Sequence, residues 1–102
     1  MSTLHTVNKS PFERSALASA LNHVKPGDSL LILEDAVVGA RKGSAVAGLF
    51  EAAAKNCSVY VLEPDLTARG MGEGDLIRDA KLVDYEGFVD LVTAHERTQA
   101  WL

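Results

Sequence analysis

Cysteine is almost missing from this chain: Cys57 is the single one. An internal disulfide is therefore excluded, which agrees with a reducing compartment. No stretch approaches the roughly 20 consecutive apolar residues that span a bilayer, and the N-terminus lacks the basic-then-apolar layout of a secretion signal. The expectation is a cytoplasmic protein with no membrane segment. Basic residues are in the minority, with 10 Lys and Arg against 14 Asp and Glu and a net charge of −4. They are scattered along the chain, so no face for phosphates is visible and direct nucleic-acid binding is not expected. There is no internal repeat and no linker. What is present is a chain of 102 residues, 47% apolar and 24% charged. That composition predicts one domain over residues 1–102 with a modest core.

The apolar residues alternate between continuous runs and helical spacing. Leu4 to Val7, Leu30 to Leu33 and Val59 to Leu62 are apolar on successive residues, as in strands covered on both faces of a parallel sheet. Ser10-Pro11-Phe12-Glu13 reads as a helix start, with a capping serine, a proline at the first helical position and a glutamate placed for a capping box. The stripe Phe12, Ala16, Ala20, Leu21 and Val24 would be buried, and Pro26-Gly27-Asp28 would end the helix. A second helix over about Ser44 to Lys55 would turn Val46, Leu49, Phe50 and Ala53 inward. Asp84 is placed to cap a third, carrying Phe88, Val89, Leu91 and Val92. Leu82-Val83 and Thr98 to Leu102 are short enough to be edge strands. The predicted fold is α/β: a mainly parallel central sheet of about five strands flanked by helices, with right-handed crossovers.

Several chemical motifs are incomplete. Gly70-Met71-Gly72-Glu73-Gly74 lacks the lysine and hydroxyl residue of a phosphate-binding loop and reads as a mobile loop. His95-Glu96-Arg97-Thr98-Gln99 has Gln99 where a zinc-protease helix needs its second histidine. His5, His23 and His95 have no partner at metal spacing, so no metal site is predicted. No nucleophile elbow surrounds Ser10, Ser15 or Ser19.

In open parallel sheets, functional groups gather outside the carboxyl ends of the strands. That rule selects Asn8, Lys9 and Ser10 after the first strand, Glu34 and Asp35 after the second, and Glu63 and Asp65 after the third. They form either a polar rim for a partner or a set of caps and solvated ion pairs. Glu34 and Asp35 are neighbours whose side chains need not share a face. Cys57 precedes the third strand, on the opposite edge, and is read as structural; no catalytic residue is assigned. Trp101 is too large an indole to leave wet at a chain end. It docks either on its own sheet or, with Tyr85 and Phe88, as an interface anchor.

The segments Leu4-His5-Thr6-Val7-Asn8-Lys9-Ser10-Pro11, Glu34-Asp35-Ala36-Val37, Tyr60 to Gly70, Val83-Asp84-Tyr85-Glu86-Gly87-Phe88-Val89 and Gln99-Ala100-Trp101-Leu102 resemble the TusB/DsrH family of sulfur-relay proteins nearly end to end. The resemblance implies a compact DsrEFH-like α/β domain and a heterohexamer with two copies each of this subunit, a TusC/DsrF-like and a TusD/DsrE-like subunit. In the Tus branch the task implied is sulfur relay through a TusE-type carrier toward 2-thiouridine at the tRNA wobble position. In the Dsr branch, sulfur from dissimilatory oxidation passes to the carrier DsrC. Neither branch calls for a metal or organic cofactor here. The essential cysteine in the family belongs to the TusD/DsrE partner, and this chain also lacks the first-helix cysteine of some DsrH members, reading Ser15-Ala16-Leu17-Ala18-Ser19-Ala20. The implied role is a non-catalytic subunit; the other class left open is an independent α/β module binding a small ligand at Asn8, Asp35 and Asp65.

Overall fold

In the computed structural model, which describes residues 2–10, 12 and 15–101, the three apolar runs form adjacent parallel strands. They are β1 (Thr3–Val7), β2 (Ser29–Ile32) and β3 (Ser58–Leu62). β4 (Ala80–Val83) and β5 (Arg97–Trp101) add the two edges, giving the order β4-β3-β2-β1-β5 with every pairing parallel. Parallel neighbours need long crossovers. These are α1 (Ala16–His23), a 3-10 turn over Glu34–Ala40 followed by α2 (Ala47–Ala53), α3 (Glu63–Ala68), and α4 (Tyr85–Ala94).

Chain direction explains how the layers are shared out. From β1 to β4 each strand is added on the same side of the last, so right-handed crossovers put their connections on one face of the sheet. The step from β4 to β5 reverses direction across the whole sheet and sends α4 to the other face. The buried residues agree. Val7, Leu30, Ile32, Val59 and Val61 pack with Ala16, Leu17, Ala20, Val37, Phe50 and Leu66 in one cluster. Leu4, Leu31 and Leu62, which alternate with them, are equally buried but lie outside that cluster. On this second face α4 starts against Val83, where Gly87 leaves room that a Cβ would take up at 3.1 Å. It ends where His95 Nε2 meets Ser29 Oγ at 2.8 Å.

Several local expectations change. α1 begins at Ala16, and Phe12 is exposed, outside the stripe it was assigned to. Pro11 and Glu13, the other half of the expected helix start, lie outside the described residues, as does Leu102. Ser10 Oγ accepts the amide of Phe12 at 3.2 Å, closing a local turn. α2 is shorter than the expected 44–55 because Ser44 Oγ donates to the carbonyl of Gly39 at 2.7 Å and holds the preceding segment in a turn. Leu49 is exposed while Phe50 is fully buried. Asp84 caps α4 as expected, accepting the amide of Gly87 at 2.7 Å. Val89 and Val92 point to solvent, however, because the helix rolls its Phe88 and Leu91 side onto the sheet.

Candidate functional site

At the carboxyl edge of the strands, the amide of Leu33 donates to the carbonyl of Val7 at 3.1 Å, which sets the start of the 34–40 turn beside the end of β1. Glu34 then takes a positive φ of 50°, unusual for a side chain with a Cβ. Its amide donates to Asp65 Oδ2 at 2.6 Å. Asp35 Oδ1 accepts from Arg69 Nη2 at 2.7 Å, and Arg69 Nη1 donates to the carbonyl of Asp65 at 3.0 Å. The expected residues Glu34, Asp35 and Asp65 therefore converge, drawn together by Arg69. That residue escaped the sequence reading, although its place four positions after Asp65, just past the end of α3, was the available signal.

This cluster is chemically quiet. Two of its carboxylates already have partners, and the Asp35 side chain is 67% exposed, so the ion pair with Arg69 contributes little energy. Its consequence is geometric: it ties the β2 loop to the β3 helix and fixes the shape of the edge. Glu63 lies exposed at the start of α3. Asn8 and Lys9 are half-buried after β1, and Asn8 Oδ1 is a buried acceptor with no partner among the described residues.

A denser network lies at the opposite edge. His5 and Asp28, each with a side chain 5% exposed, meet at 2.9 Å between Nε2 and Oδ2. Asp28 also accepts the amides of Thr3 and Lys25, both at 3.0 Å. Burial alone pushes the Asp28 carboxyl up, but the His5 contact and the two amide hydrogen bonds outweigh it and hold the group below the ordinary value. Trp101 Nε1 donates to His5 Nδ1 at 3.1 Å, and its ring lies 4.9 Å from that of His23. The indole thus rests on this chain's own sheet, half-buried. Neither Asp28, read as a turn residue, nor its link to Trp101 was visible in local spacing.

Cys57 sits between α2 and β3 on that same edge, 8% exposed, its amide donating to the carbonyl of Ala53 at 3.0 Å. Burial, and secondarily the negative charge of Asp28, push its thiol up. A raised thiol pKa lowers the fraction of thiolate, the form in which a cysteine reacts. His95 is occupied by the Leu91 carbonyl and Ser29, and His23 by the Ser19 carbonyl. Among the described residues no group of three His, Cys, Asp or Glu side chains is placed to hold a metal ion. No helix of the described residues is long and apolar enough to cross a membrane. A cleft of about 550 Å³, lined by Lys42, Glu51, Glu73, Arg78 and Asp79, opens beside the start of β4, away from the Asn8 edge.

Comparison with known proteins adds the lineage. The fold matches protein MTH1491 of Methanobacterium thermoautotrophicum, a protein of unknown function, with TM-score 0.77 and 15% identity over 97% of both chains. It also matches the ychN protein of Escherichia coli, with TM-score 0.75 and 16% identity over 99% of this chain and 100% of the other. At these identities the likeness is one of fold. Sequence relatives are nearer: Protein TusB of Pectobacterium parmentieri is 38% identical over 98 residues, covering 96% of this chain and 99% of that protein. Protein TusB of Escherichia coli K12 is 38% identical over 99 residues with the same coverage. The family model described as DsrH like protein matches residues 9–98. A parallel five-stranded sheet, relatives aligned nearly end to end and a family match over most of the chain together place this protein in the TusB/DsrH family of sulfur-relay proteins.

Proposed function

We propose that this chain is a non-catalytic subunit of a heterohexameric sulfur-relay complex, formed with TusC/DsrF-like and TusD/DsrE-like subunits in the cytoplasm. Its single domain completes the assembly and shapes the surface on which a partner's cysteine works. In the relay step a partner thiolate attacks the outer sulfur of a donor persulfide. The donor S–S bond breaks, a new persulfide forms on the partner, and the donor leaves as a thiolate. The sulfur then passes through a TusE-type carrier toward 2-thiolation of the tRNA wobble uridine.

The observation that carries this reading is the state of Cys57: buried, its thiol pushed up by burial and by Asp28, and away from the carboxyl edge of the sheet. The polar rim of Asn8, Lys9, Glu34, Asp35 and Asp65, in which Glu34, Asp35 and Asp65 converge, is the surface assigned to the partner. The curated TusB relatives favour tRNA thiolation. The DsrH family match keeps delivery to a DsrC-type carrier in sulfur oxidation as the second reading. The test is Cys57→Ser in the assembled complex. Sulfur transfer to the carrier should continue at the wild-type rate, whereas loss of transfer with the complex intact would assign the reaction to this chain.

A further inference from the structure

Among the described residues the second face of the sheet has α4 alone among its helices, and that helix is only half used. It buries none of its ten residues fully; Phe88 and Leu91, on the side turned to the sheet, are half-buried. Three of the five large apolar residues exposed in the described chain fall on it: Tyr85 at 60%, Val89 at 62% and Val92 at 41%. Their spacing of four and then three residues makes one continuous stripe. At 100° per residue this stripe adjoins the Phe88 and Leu91 side, so the apolar face of α4 is about twice as wide as its own sheet covers. The outer flank is acidic, with Glu86 and Asp90 side by side, both exposed, and no Lys or Arg occurs between Tyr85 and Ala94.

The charge pattern selects the occupant. Two copies of α4 paired antiparallel about a twofold axis would bring each acidic flank against itself, because in that geometry a flanking position meets its own equivalent. An anionic membrane surface is disfavoured for the same reason. A helix from a different chain, with an apolar seam and Lys or Arg along one flank, satisfies both the stripe and the rim. We propose that the Tyr85-Val89-Val92 stripe of α4 is a docking site for such an amphipathic, basic-flanked helix of another subunit. This rests on the reading of the chain as a member of a mixed complex. It adds a second contact surface, separate from the polar rim, and the chemistry that the other subunit presents to it. Tyr85 is an anchor in this arrangement, while Phe88 is spent on this chain's own sheet.

The experiment is co-expression of the full chain with the two companion subunits, the assemblies being weighed by native mass spectrometry. Val89→Asp should release this chain from the complex, weakening its association at least 100-fold, with the circular dichroism and melting of the isolated chain unchanged. Glu86→Lys with Asp90→Lys should weaken association at least 10-fold and remove its sensitivity to salt, which guards against Val89→Asp acting through the fold. Normal assembly by both variants overturns the docking site and leaves the relay-subunit reading intact. Failure of the wild-type chain to assemble with either companion overturns both. A homodimer of the wild-type chain that Val89→Asp abolishes would overturn the assignment to a different partner.

Discussion

Replacing Asp28 by asparagine puts a large predicted strain on the fold for almost no change in shape. The carboxylate accepts three donors: the Thr3 amide on Oδ1, and the Lys25 amide with His5 Nε2–H on Oδ2. Trp101 fixes the direction of the chain of bonds, since an indole N–H only donates and so requires His5 Nδ1 to accept. An asparagine has one acceptor oxygen. With its NH₂ in the Oδ2 position, two donors are stranded; with the amide turned over, the Thr3 amide faces an NH₂. The other histidine tautomer does not rescue the network, because it would set an N–H against Trp101. Stranding a buried donor costs about 1–3 kcal/mol, and the acceptor lost was charged, so the sum is about 2–4 kcal/mol. That is a large share of the roughly 5–15 kcal/mol that holds a domain folded. At about 4–8 °C per kcal/mol for a chain near this length, Tm should fall by about 8–32 °C. Urea and thermal unfolding followed by circular dichroism read the loss. The lone tryptophan gives a second probe, as its single indole N–H resonance should lose its protection in the variant. A variant within about 0.5 kcal/mol of wild type, with that resonance unmoved, would refute the network.

The same carboxylate sets a pH dependence. Its folded value lies below the ordinary one, so its contribution is fully present above about pH 4 and is lost as pH falls below the unfolded value of about 3.9 toward the folded one. Acid titration of stability should show this slope, and Asp28→Asn should flatten it. Phe50, fully buried in the main cluster, should cost about 3–5 kcal/mol as Phe50→Ala in urea unfolding. Gly70 ends α3 at a φ of 70° with open space around it, so Gly70→Ala should cost about 1 kcal/mol from backbone conformation alone, measured the same way. Arg69→Ala should change stability by less than about 1 kcal/mol, since its ion pair with Asp35 is solvent-exposed; a larger loss would mean that the edge is structurally essential.

The strands were legible because β1, β2 and β3 are covered on both faces and so read as unbroken apolar runs, while the exposed β5 carries no such run and was placed by its length and position. The α4 cap was legible because Asp84 acts within its own helix turn. What local spacing missed depends on partners far apart in sequence. Phe12 and Leu49 match the helical period of their segments, yet both are exposed, since periodicity names an apolar side without saying whether anything packs on it. The same gap separates Val89 and Val92 from Phe88: all share a broad apolar face, and only the tilt of α4 on the sheet divides it. At the carboxyl edge the acids were identified from strand ends, but Arg69, 34 residues from Asp35, was not. Trp101 and His5 stand 96 residues apart and meet because β5 pairs with β1 at the far side of the sheet.

The central claim is that this chain assembles a sulfur relay without carrying the sulfur. Its most direct test is to load the co-expressed complex with a persulfide donor, trap thiols and persulfides by alkylation, and weigh each subunit. The account predicts the added mass of sulfur on a partner subunit and none on Cys57. Persulfide on Cys57 that then passes to the carrier would contradict it.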